Sequence, residues 1–254
     1  MDMEIYHEIT KRKQFSQLRK IDVELAWGLF EKRQIIVEEK IKLTRDILRK
    51  VFSVFGSQKL LNFKDKSVDW VLKKHISTRE RYDYYEKLYG GLLRDFDKNT
   101  TIFDLGAGMN GFSYGFFGKK VSYVGVESIG QMVDSTNLYF KENNLESAKM
   151  VHLSLFELKE VKELIKKTKG KKVVFLFKAI DSLEMLKKDY SLEFLNEITP
   201  LVDKVIISFA TRSLFKKVKF KVNRNWILNF IKENFNFIEE FELGNERYVV
   251  FSKK

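Results

Sequence analysis

The chain has 254 residues, of which 44% are hydrophobic, enough for one large domain or for a domain with a smaller companion. Cysteine is absent, which excludes disulfides, thiolate zinc sites and a cysteine nucleophile, and three histidines are too few for a histidine-rich metal site. No apolar run approaches the roughly 18 residues of a membrane span, and the N-terminus lacks an apolar signal segment. We therefore expect a cytoplasmic protein with no membrane span and no bound metal.

The net charge of +12 and the pI of about 9.5 indicate the kind of partner rather than the fold. A polyanion such as a nucleic acid is the obvious candidate. An anionic membrane surface is less well supported, because no lipidation signal or amphipathic terminal anchor accompanies the charge. The alternative is that the richness in lysine, isoleucine, asparagine and phenylalanine reflects genome base composition.

Residues 1–98 have the pattern of helices. Asp22 is a candidate N-cap for a long helix, and apolar residues with helical spacing continue from Ile35 to Val54, until Gly56 ends the pattern. Basic side chains lie between these apolar positions. They indicate either a solvated helix face or a basic module that grips a phosphate backbone, with Arg45 and Arg49 as candidate RNA contacts.

A short polar segment, His75 to Arg81, precedes the next part of the chain. Ser77 and Glu80 have the spacing of a capping box, which predicts a helix from there to about Phe96. This accounts for Ser77 and Glu80 structurally. It does not account for the gathering of His75, Thr78, Arg79 and Arg81 at one helix start.

From Thr100 onward, apolar runs alternate with helical patterns. Strands are predicted near residues 101–105, 121–126, 149–153, 172–178 and 203–208, and helices near 129–143, 157–169, 182–188 and 191–199. A helix near 225–234 and a hairpin formed by 235–243 and 247–252 complete the chain. The pattern predicts a mostly parallel α/β sheet with helices on both faces, and the hairpin closes one edge.

The central motif follows the first strand, Ile102–Leu105. Gly106, Gly108 and Gly111 form a G-x-G-x-x-G pattern, and Glu127 stands 21 positions after Gly106 at the end of the second apolar run. Glycines permit a tight turn and a close approach of ligand to backbone, and an acid at that distance can accept ribose hydroxyls. The motif is typical of a nucleoside site, although an ordinary strand-to-helix turn has the same pattern.

Two nucleoside cofactors fit such a turn. A dinucleotide presents a pyrophosphate, whereas S-adenosylmethionine presents an ammonium and a sulfonium. Asp104, two residues before the first glycine, would repel pyrophosphate and favour a cationic amino-acid tail. The motif also begins about a hundred residues into the chain, later than is usual in dinucleotide domains. The sequence therefore favours S-adenosylmethionine over a nicotinamide cofactor.

Two later features lie at the ends of predicted strands, where such sheets bind ligands. Lys178 ends the fourth strand and is either a ligand contact or a lysine that reaches solvent at the rim. From Arg212 to Arg224 there are six basic residues and no acid, with Phe215, Phe220 and Trp226 between or beside them. Basic residues pair with phosphates and aromatic rings stack on extruded bases, although a solvated loop has the same composition.

Four motifs occur in an order that resembles a known family. HISTRER, DLGAGMN, FKAIDSLE and SFATRSL are similar to segments of the Arm/Rmt-type aminoglycoside-resistance enzymes, the 16S rRNA (guanine(1405)-N(7))-methyltransferases. The resemblance runs from about residue 20 to the end of the chain. It implies a helical rRNA-docking domain (1–98) and a Rossmann-like S-adenosylmethionine-dependent methyltransferase domain (99–254). The second domain is expected to have a mostly parallel seven-stranded sheet with a terminal antiparallel strand. The implied substrate is a decoding-site guanine of the 30S subunit, and the implied enzyme is a monomer.

The resemblance also implies roles for individual residues. Lys178 is expected nearest the transferred methyl group. The expected cofactor contacts are His75, Ser77, Thr78, Asp104, Gly106, Ala107, Gly108, Asn110, Glu127, Ser128, Leu153 and Ser154, and the expected RNA contacts are Arg45, Arg49, Arg79, Arg212, Lys216, Lys217 and Lys219.

The chain departs from the family at two places. The family usually has an aspartate at the adenine after the third strand, where this chain has His152-Leu153-Ser154. The family loop after T-R-S-L is rich in glycine, where this chain has FKKVKFKV. The first departure affects adenine recognition, and the second affects the loop expected to touch RNA.

Chemistry at guanine N7 needs little from the protein beyond positioning. N7 carries a free lone pair at neutral pH, so it attacks a sulfonium methyl without losing a proton, and no general base is required. The alternatives are a nicotinamide-dependent oxidoreductase, a ribosome-binding protein that has lost methyl transfer, and a methyltransferase that acts on tRNA or on protein.

Overall fold

The computed structural model describes residues 1–53, 66–211 and 224–254. Before the sheet, the described chain is helical, as the apolar spacing predicts. Its α-helices are α1 (Met3–Thr10), α2 (Lys20–Glu31), α3 (Val37–Leu48), α4 (Val68–Lys74), α5 (Ile76–Arg81) and α6 (Tyr85–Leu92). A short π-helical turn, Arg49–Ser53, continues α3, and Gly56, the expected end of that pattern, lies outside the described residues.

The second part alternates strands and helices as predicted. The strands are β1 (Thr100–Leu105), β2 (Ser122–Glu127), β3 (Ala148–His152), β4 (Lys171–Phe177), β5 (Lys204–Ala210), β6 (Asn236–Leu243) and β7 (Glu246–Ser252). The helices are α7 (Gly130–Glu142), α8 (Leu158–Lys167), α9 (Ile180–Leu186), α10 (Tyr190–Ile198) and α11 (Asn225–Asn234).

The seven strands form one sheet in the order β3-β2-β1-β4-β5-β7-β6. Strands β1 to β5 run parallel, and β7 lies antiparallel between β5 and β6. The order reverses between β1 and β4, where the two neighbouring crossovers lead away in opposite directions. Ligands bind at the carboxyl ends of strands beside such a reversal. The fold therefore locates the site at the ends of β1, β2 and β4.

Each face of the sheet is covered by a separate apolar core. One core contains Leu105, Val174 and Ile207 from the sheet with side chains of α8 to α11. The other contains Ile102 and Phe175 from the sheet with side chains of the N-terminal helices, including Val23 of α2. The N-terminal helices thus pack directly on the sheet and share its core. The domain boundary at residues 98 and 99 stays a prediction.

Two local expectations are wrong. Asp22 is not an N-cap, because α2 begins at Lys20 and Asp22 lies buried in its first turn. Ser77 does not cap a long helix either: α5 follows His75 and ends at Arg81, and a 3₁₀ turn separates it from α6. Asp22 instead accepts from Ser128 and Ser154, which are far away in sequence, and Ser77 accepts from Arg81, four residues later on the same helix.

None of the helices in the described ranges has the length and apolar character that crossing a membrane requires.

Candidate active site

A cleft of about 820 Å³, measured to its open mouth, lies at the carboxyl ends of the strands. Its walls come from the turn after β1, the ends of β2 and β4, and the start of α5, with α2 closing one side. The cleft lies where the order of the strands reverses, as the fold predicts.

The glycine turn shapes the floor of this cleft. Gly106 has φ +77° and Gly108 has φ +53°, values that side chains adopt only with strain. A Cβ atom on Gly108 would stand 3.3 Å from Cε1 of His75. The amides of Gly106 and Ala107 donate to the Val126 carbonyl, at 2.9 and 3.0 Å, which anchors the turn to β2.

Glu127, the last residue of β2, fixes the glycine turn through hydrogen bonds to its carboxylate. Its Oε2 accepts from the Gly108 amide and its Oε1 accepts from the Ile129 amide, both at 2.9 Å. Burial raises the pKa of Glu127, and the amide hydrogen bonds oppose that rise. Each oxygen retains a lone pair, so the carboxylate can still accept from a ligand in the cleft.

Asp104 is almost fully buried one residue before the end of β1. Its Oδ2 accepts from Asn110 at 2.7 Å and from the Tyr123 hydroxyl at 2.9 Å. Among the described residues, no hydrogen bond to Oδ1 is present. Burial raises the pKa of Asp104, while the two donors and the nearby Arg81 lower it. The cleft thus contains a buried carboxylate with acceptor capacity to spare.

Arg81 links the cleft to distant parts of the chain. Its Nε donates to Glu246 at 3.1 Å, its Nη1 donates to Asn110 at 2.7 Å, and its third nitrogen reaches Ser77. Arg81 also lies 4.8 Å from the ring centroid of Phe177. Burial alone would raise the pKa of Glu246, but Arg81 and Lys178 hold it below its ordinary value.

Lys178 stands directly after β4 with φ +59°, an uncommon conformation for a residue with a side chain. Its amide donates to the carbonyl and the hydroxyl of Ser208, both at 3.1 Å. Its ammonium pairs with Glu80 and lies 3.3 Å from Glu246. Lys178 therefore lines the cleft as an ion-paired cation and does not extend to solvent as a rim lysine would.

His75 and Thr78 close the wall opposite the glycine turn. The Thr78 hydroxyl donates to the Leu72 carbonyl at 2.7 Å and lies 3.3 Å from Nδ1 of His75. Burial, with Arg81 and Lys178 nearby, lowers the pKa of His75 to about 3. The imidazole is therefore neutral, and a weak base, at neutral pH.

Asp22 is a cleft residue that the sequence assigned to another role. It is 1% exposed, and the hydroxyls of Ser128 and Ser154 donate to its two oxygens. Burial raises the pKa of Asp22 to about 7, and the negative charges of Glu127 and Glu157 add to the rise. The hydrogen bonds from the two serine hydroxyls lower the pKa and oppose this effect.

The structure brings most of the expected cofactor contacts together around one cleft. Those that line it are His75, Ser77, Thr78, Asp104, Gly106, Ala107, Gly108, Asn110, Glu127, Ser128 and Leu153, together with Lys178. Ser154 does not line the cleft but lies behind Asp22 and donates to it at 2.8 Å. Sequence reasoning assigned no role in the site to Asp22, Arg81 or Glu246. Only Arg81 had a local signal, since it belongs to the HISTRER motif.

The expected RNA contacts differ in how exposed they are, and some lie outside the described residues. Arg45 needs correction: it is buried and donates to the carbonyls of Glu8 and Ile9, so it ties α3 to α1 and is not available to RNA. Arg49 is partly exposed and pairs with Asp46, and Arg79 is exposed. Arg212, Lys216, Lys217 and Lys219 lie outside the described residues. Within the described ranges, no group of three or more metal-binding side chains is present.

Gly108→Ala will destabilise the protein by about 1–2 kcal/mol, because alanine is strained at φ +53°. It will also weaken binding of an adenosyl ligand, because the turn must move away from His75. Chemical denaturation and calorimetry measure the two effects. Gly115→Ala is the matched control, since a Cβ there meets nothing within 4 Å. Equal stability of the two variants would show that the turn tolerates a side chain.

Asp22→Asn will be stabilising at neutral pH. The pKa of Asp22 is raised from 3.8 to about 7, so ionisation is harder in the folded chain than in the unfolded one. Below pH 4 the group is protonated in both states and has no effect. As the pH rises from about 4 to 7, wild-type stability should fall relative to the variant by about 1 kcal/mol per pH unit. Denaturation at several pH values measures the difference in stability between the wild type and the variant. If that difference does not change with pH, the pKa of Asp22 is not raised.

A mostly parallel seven-stranded sheet whose last strand is inserted antiparallel, with a glycine turn after β1 and an acid ending β2, defines the Rossmann-like S-adenosylmethionine-dependent methyltransferase fold. The fold class predicted from the sequence is therefore confirmed. The chain belongs to the ribosomal RNA methyltransferase (FmrO) family, whose sequence profile matches residues 42–230. The expected resemblance to the Arm/Rmt enzymes is confirmed with it.

Individual proteins are similar to this chain in sequence or in fold. A 16S rRNA (guanine(1405)-N(7))-methyltransferase of Proteus mirabilis is 23% identical over 191 residues, a stretch that covers 72% of this chain and 64% of that relative's length. The crystal structure of the 16S rRNA methyltransferase RmtF with S-adenosyl-L-homocysteine superposes with a TM-score of 0.80 at 17% identity, over 100% of both chains. The 16S rRNA methylase RmtB gives 0.77 at 16% identity, again over 100% of both.

Proposed function

We propose that this protein transfers a methyl group from S-adenosylmethionine to N7 of a guanine in the decoding site of 16S rRNA. The observation that carries the proposal is the cleft: a glycine turn with positive φ lies between buried carboxylates at the ends of β1 and β2, in a chain of the ribosomal RNA methyltransferase family. All three proteins named above are 16S rRNA methyltransferases, and the one from Proteus mirabilis acts on N7 of a guanine.

The lining of the cleft fits S-adenosylmethionine better than a dinucleotide. Asp104 and Glu127 place two buried carboxylates around the turn, which disfavours a pyrophosphate and suits a cationic amino-acid tail and ribose hydroxyls. The turn also favours glycine at Gly106 and Gly108, since both have positive φ and an added Cβ atom at either would stand 3.3 Å from a neighbouring side chain. A ligand can therefore lie directly against the backbone.

The residues of the chain would act mainly by positioning. Bound in the cleft, S-adenosylmethionine supplies a methyl group on a positively charged sulfur. Asp104 would hold the ammonium, Glu127 would hold the ribose hydroxyls, and Lys178 would stand nearest the methyl group. Asn110 would keep Asp104 in place, because it donates to that carboxylate while it accepts from Arg81.

The groups beside Lys178 suit an acceptor that loses no proton, whereas Asp22, whose pKa of about 7 would suit a general base, lies apart from them beside Ser128 and Ser154. His75 has a pKa of about 3, and Glu246 is committed to Arg81 and Lys178, so both are poor general bases at neutral pH. Guanine N7 already presents a lone pair and needs none. Hydroxyl and exocyclic amine acceptors, which must lose a proton, fit this cleft less well.

The RNA side of the proposal depends on charge. The chain carries +12 at pH 7, and Arg79 is exposed on α5, the helix that forms one wall of the cleft. We propose that the assembled 30S subunit is the substrate, that Arg49, Arg79 and the basic segment 212–223 contact its RNA, and that the enzyme acts as a cytoplasmic monomer without a metal ion. Methylation of that site would then protect the ribosome from aminoglycosides.

The test is a methyl-transfer assay with labelled S-adenosylmethionine and purified 30S subunits from a host that lacks the protein. The modified base is then mapped. Label at N7 of a decoding-site guanine supports the proposal, and growth of the expressing host in aminoglycosides tests the resistance. Label at another base supports methyl transfer to RNA but rejects the decoding-site guanine as the target. Absence of label from 30S subunits, with cofactor binding intact, rejects the proposed substrate.

A further inference from the structure

Asp22 belongs to the N-terminal helical region yet forms part of the wall of the cofactor cleft. Two serines from the methyltransferase domain donate to it, Ser128 just after β2 and Ser154 just after β3. A buried carboxyl normally costs free energy, so its retention in an apolar wall needs a reason. Two hydroxyl donors leave half of its acceptor capacity unused, because a carboxylate has about four lone-pair sites.

The chain around Asp22 is fixed to the same two strand ends. The Arg19 amide donates to the Ser128 carbonyl at 3.2 Å, and the Gly130 amide donates to the Gln17 carbonyl at 2.9 Å, so residues 17–19 run alongside residues 128–130. The Arg19 guanidinium also pairs with Glu157, three residues after Ser154. These contacts, close to Asp22 on the same helix start, define its position relative to β2 and β3.

This position would lie at one end of a nucleoside bound in the cleft. Glu127 ends β2 and suits the ribose, so the base lies further along, between the ends of β2 and β3. The wall there is apolar, with Ile129, Met132, Leu155 and Phe156. An apolar wall that also presents one carboxyl is suited to a heterocycle that carries an amino group.

We propose that Asp22 accepts a hydrogen bond from the exocyclic amino group of the cofactor's adenine, so that the helical region completes the cofactor site. The proposal rests on the proposed function, since it takes S-adenosylmethionine as the ligand. It makes Asp22 a specificity-determining residue. A ligand without the amino group would leave the buried carboxyl without that donor and would bind less well.

The test compares two ligands by calorimetry: S-adenosylhomocysteine, and its analogue with hydrogen in place of the 6-amino group. The wild-type protein should bind the first about 100-fold more tightly, because the site leaves a buried polar group unpaired with the second. In Asp22→Ala, the ratio of the two dissociation constants should fall to about 3 or less, because the amino group no longer has a protein acceptor.

Arg19→Gln is the matched control. It breaks the ion pair with Glu157 and loosens the same helix start, but it leaves Asp22 in place. This variant should keep the wild-type ratio. If Arg19→Gln loses the ratio as fully as Asp22→Ala, the helix affects the ligand through docking alone, and the proposed hydrogen bond is rejected.

The remaining outcomes are also decisive. Equal binding of the two ligands to the wild-type protein, or an unchanged ratio in Asp22→Ala, overturns the assignment of Asp22. If Asp22→Ala does not fold, Asp22→Asn replaces it. A neutral acceptor forms a bond about half as strong, so the ratio should fall from about 100 to about 10, and an unchanged ratio rejects the proposal. Failure of the wild-type protein to bind S-adenosylhomocysteine would instead reject the cofactor in the proposed function.

Discussion

Replacement of Asp104 by asparagine is expected to weaken the binding of S-adenosylmethionine about a hundredfold. Removal of one partner from a buried, hydrogen-bonded charge pair typically costs about 2–5 kcal/mol, and 2.7 kcal/mol corresponds to a hundredfold change in affinity. Asp104 is buried beside Asn110 and Tyr123, which define the orientation of its carboxylate. Asparagine preserves the shape of the side chain and removes the charge. Titration calorimetry measures the change.

Tyr123→Phe is the control for this experiment. It removes one of the donors to Asp104 but leaves the carboxylate, so its effect on affinity should stay within about tenfold. Both variants should fold, which circular dichroism will establish before the titration. Wild-type affinity in Asp104→Asn would show that the carboxylate does not contact the cofactor and that the amino-acid tail lies elsewhere.

Replacement of Glu246 by glutamine is expected to lower the free energy of unfolding by about 3–5 kcal/mol, the usual cost of breaking a buried ion pair. The carboxylate is 1% exposed and lies between Arg81 and Lys178. Without it, both cations stay buried with fewer partners. Urea denaturation at pH 7 measures the difference. If the proposed function holds, methyl transfer should also be lost, because Lys178 loses one of the carboxylates that hold it.

Glu240→Gln is the matched control, because Glu240 pairs with Arg247 on the same hairpin but near its surface. Exposed pairs contribute about 0–1 kcal/mol, so this variant should be nearly as stable as wild type. The pKa of Glu246 is lowered, so the stability it contributes is present above its unfolded value of 4.5 and is lost as the pH falls below it. The gap between Glu246→Gln and wild type should therefore narrow in acid. If Glu246→Gln and Glu240→Gln are equally stable at pH 7, the ion pairs of Glu246 with Arg81 and Lys178 do not stabilise the fold.

The sequence predicts the methyltransferase part of the fold closely. The predicted strands lie within one or two residues of β1 to β5, because each is a short apolar run bounded by polar turns. The terminal hairpin follows from two apolar runs on either side of a Gly-Asn-Glu turn. Local pattern is sufficient here, since burial on both faces of a sheet is visible in consecutive residues.

The site is predictable only where its residues belong to local motifs. The glycine turn, Asp104 and Glu127 follow from their spacing along the chain. Asp22 and Glu246 do not, because their partners are far away in sequence: Asp22 meets Ser154 across 132 residues, and Arg81 meets Glu246 across 165. The prediction that Arg45 contacts RNA is wrong for the same reason. A basic residue between apolar positions gives the same sequence pattern whether it faces solvent or contacts another helix, as Arg45 does.

The long separation between Arg81 and Glu246 has a consequence for synthesis of the chain. Translation releases the helices of residues 1–92 first, with a guanidinium whose partner carboxylate has not yet been made. Until the β6–β7 hairpin emerges and joins β5, burial of that charge is unfavourable, and the helices cannot settle fully on the sheet. Assembly of the cleft is therefore expected to be a late event, coupled to docking of the hairpin. A nascent chain on the ribosome should not bind the methyl donor until nearly all of it has been translated.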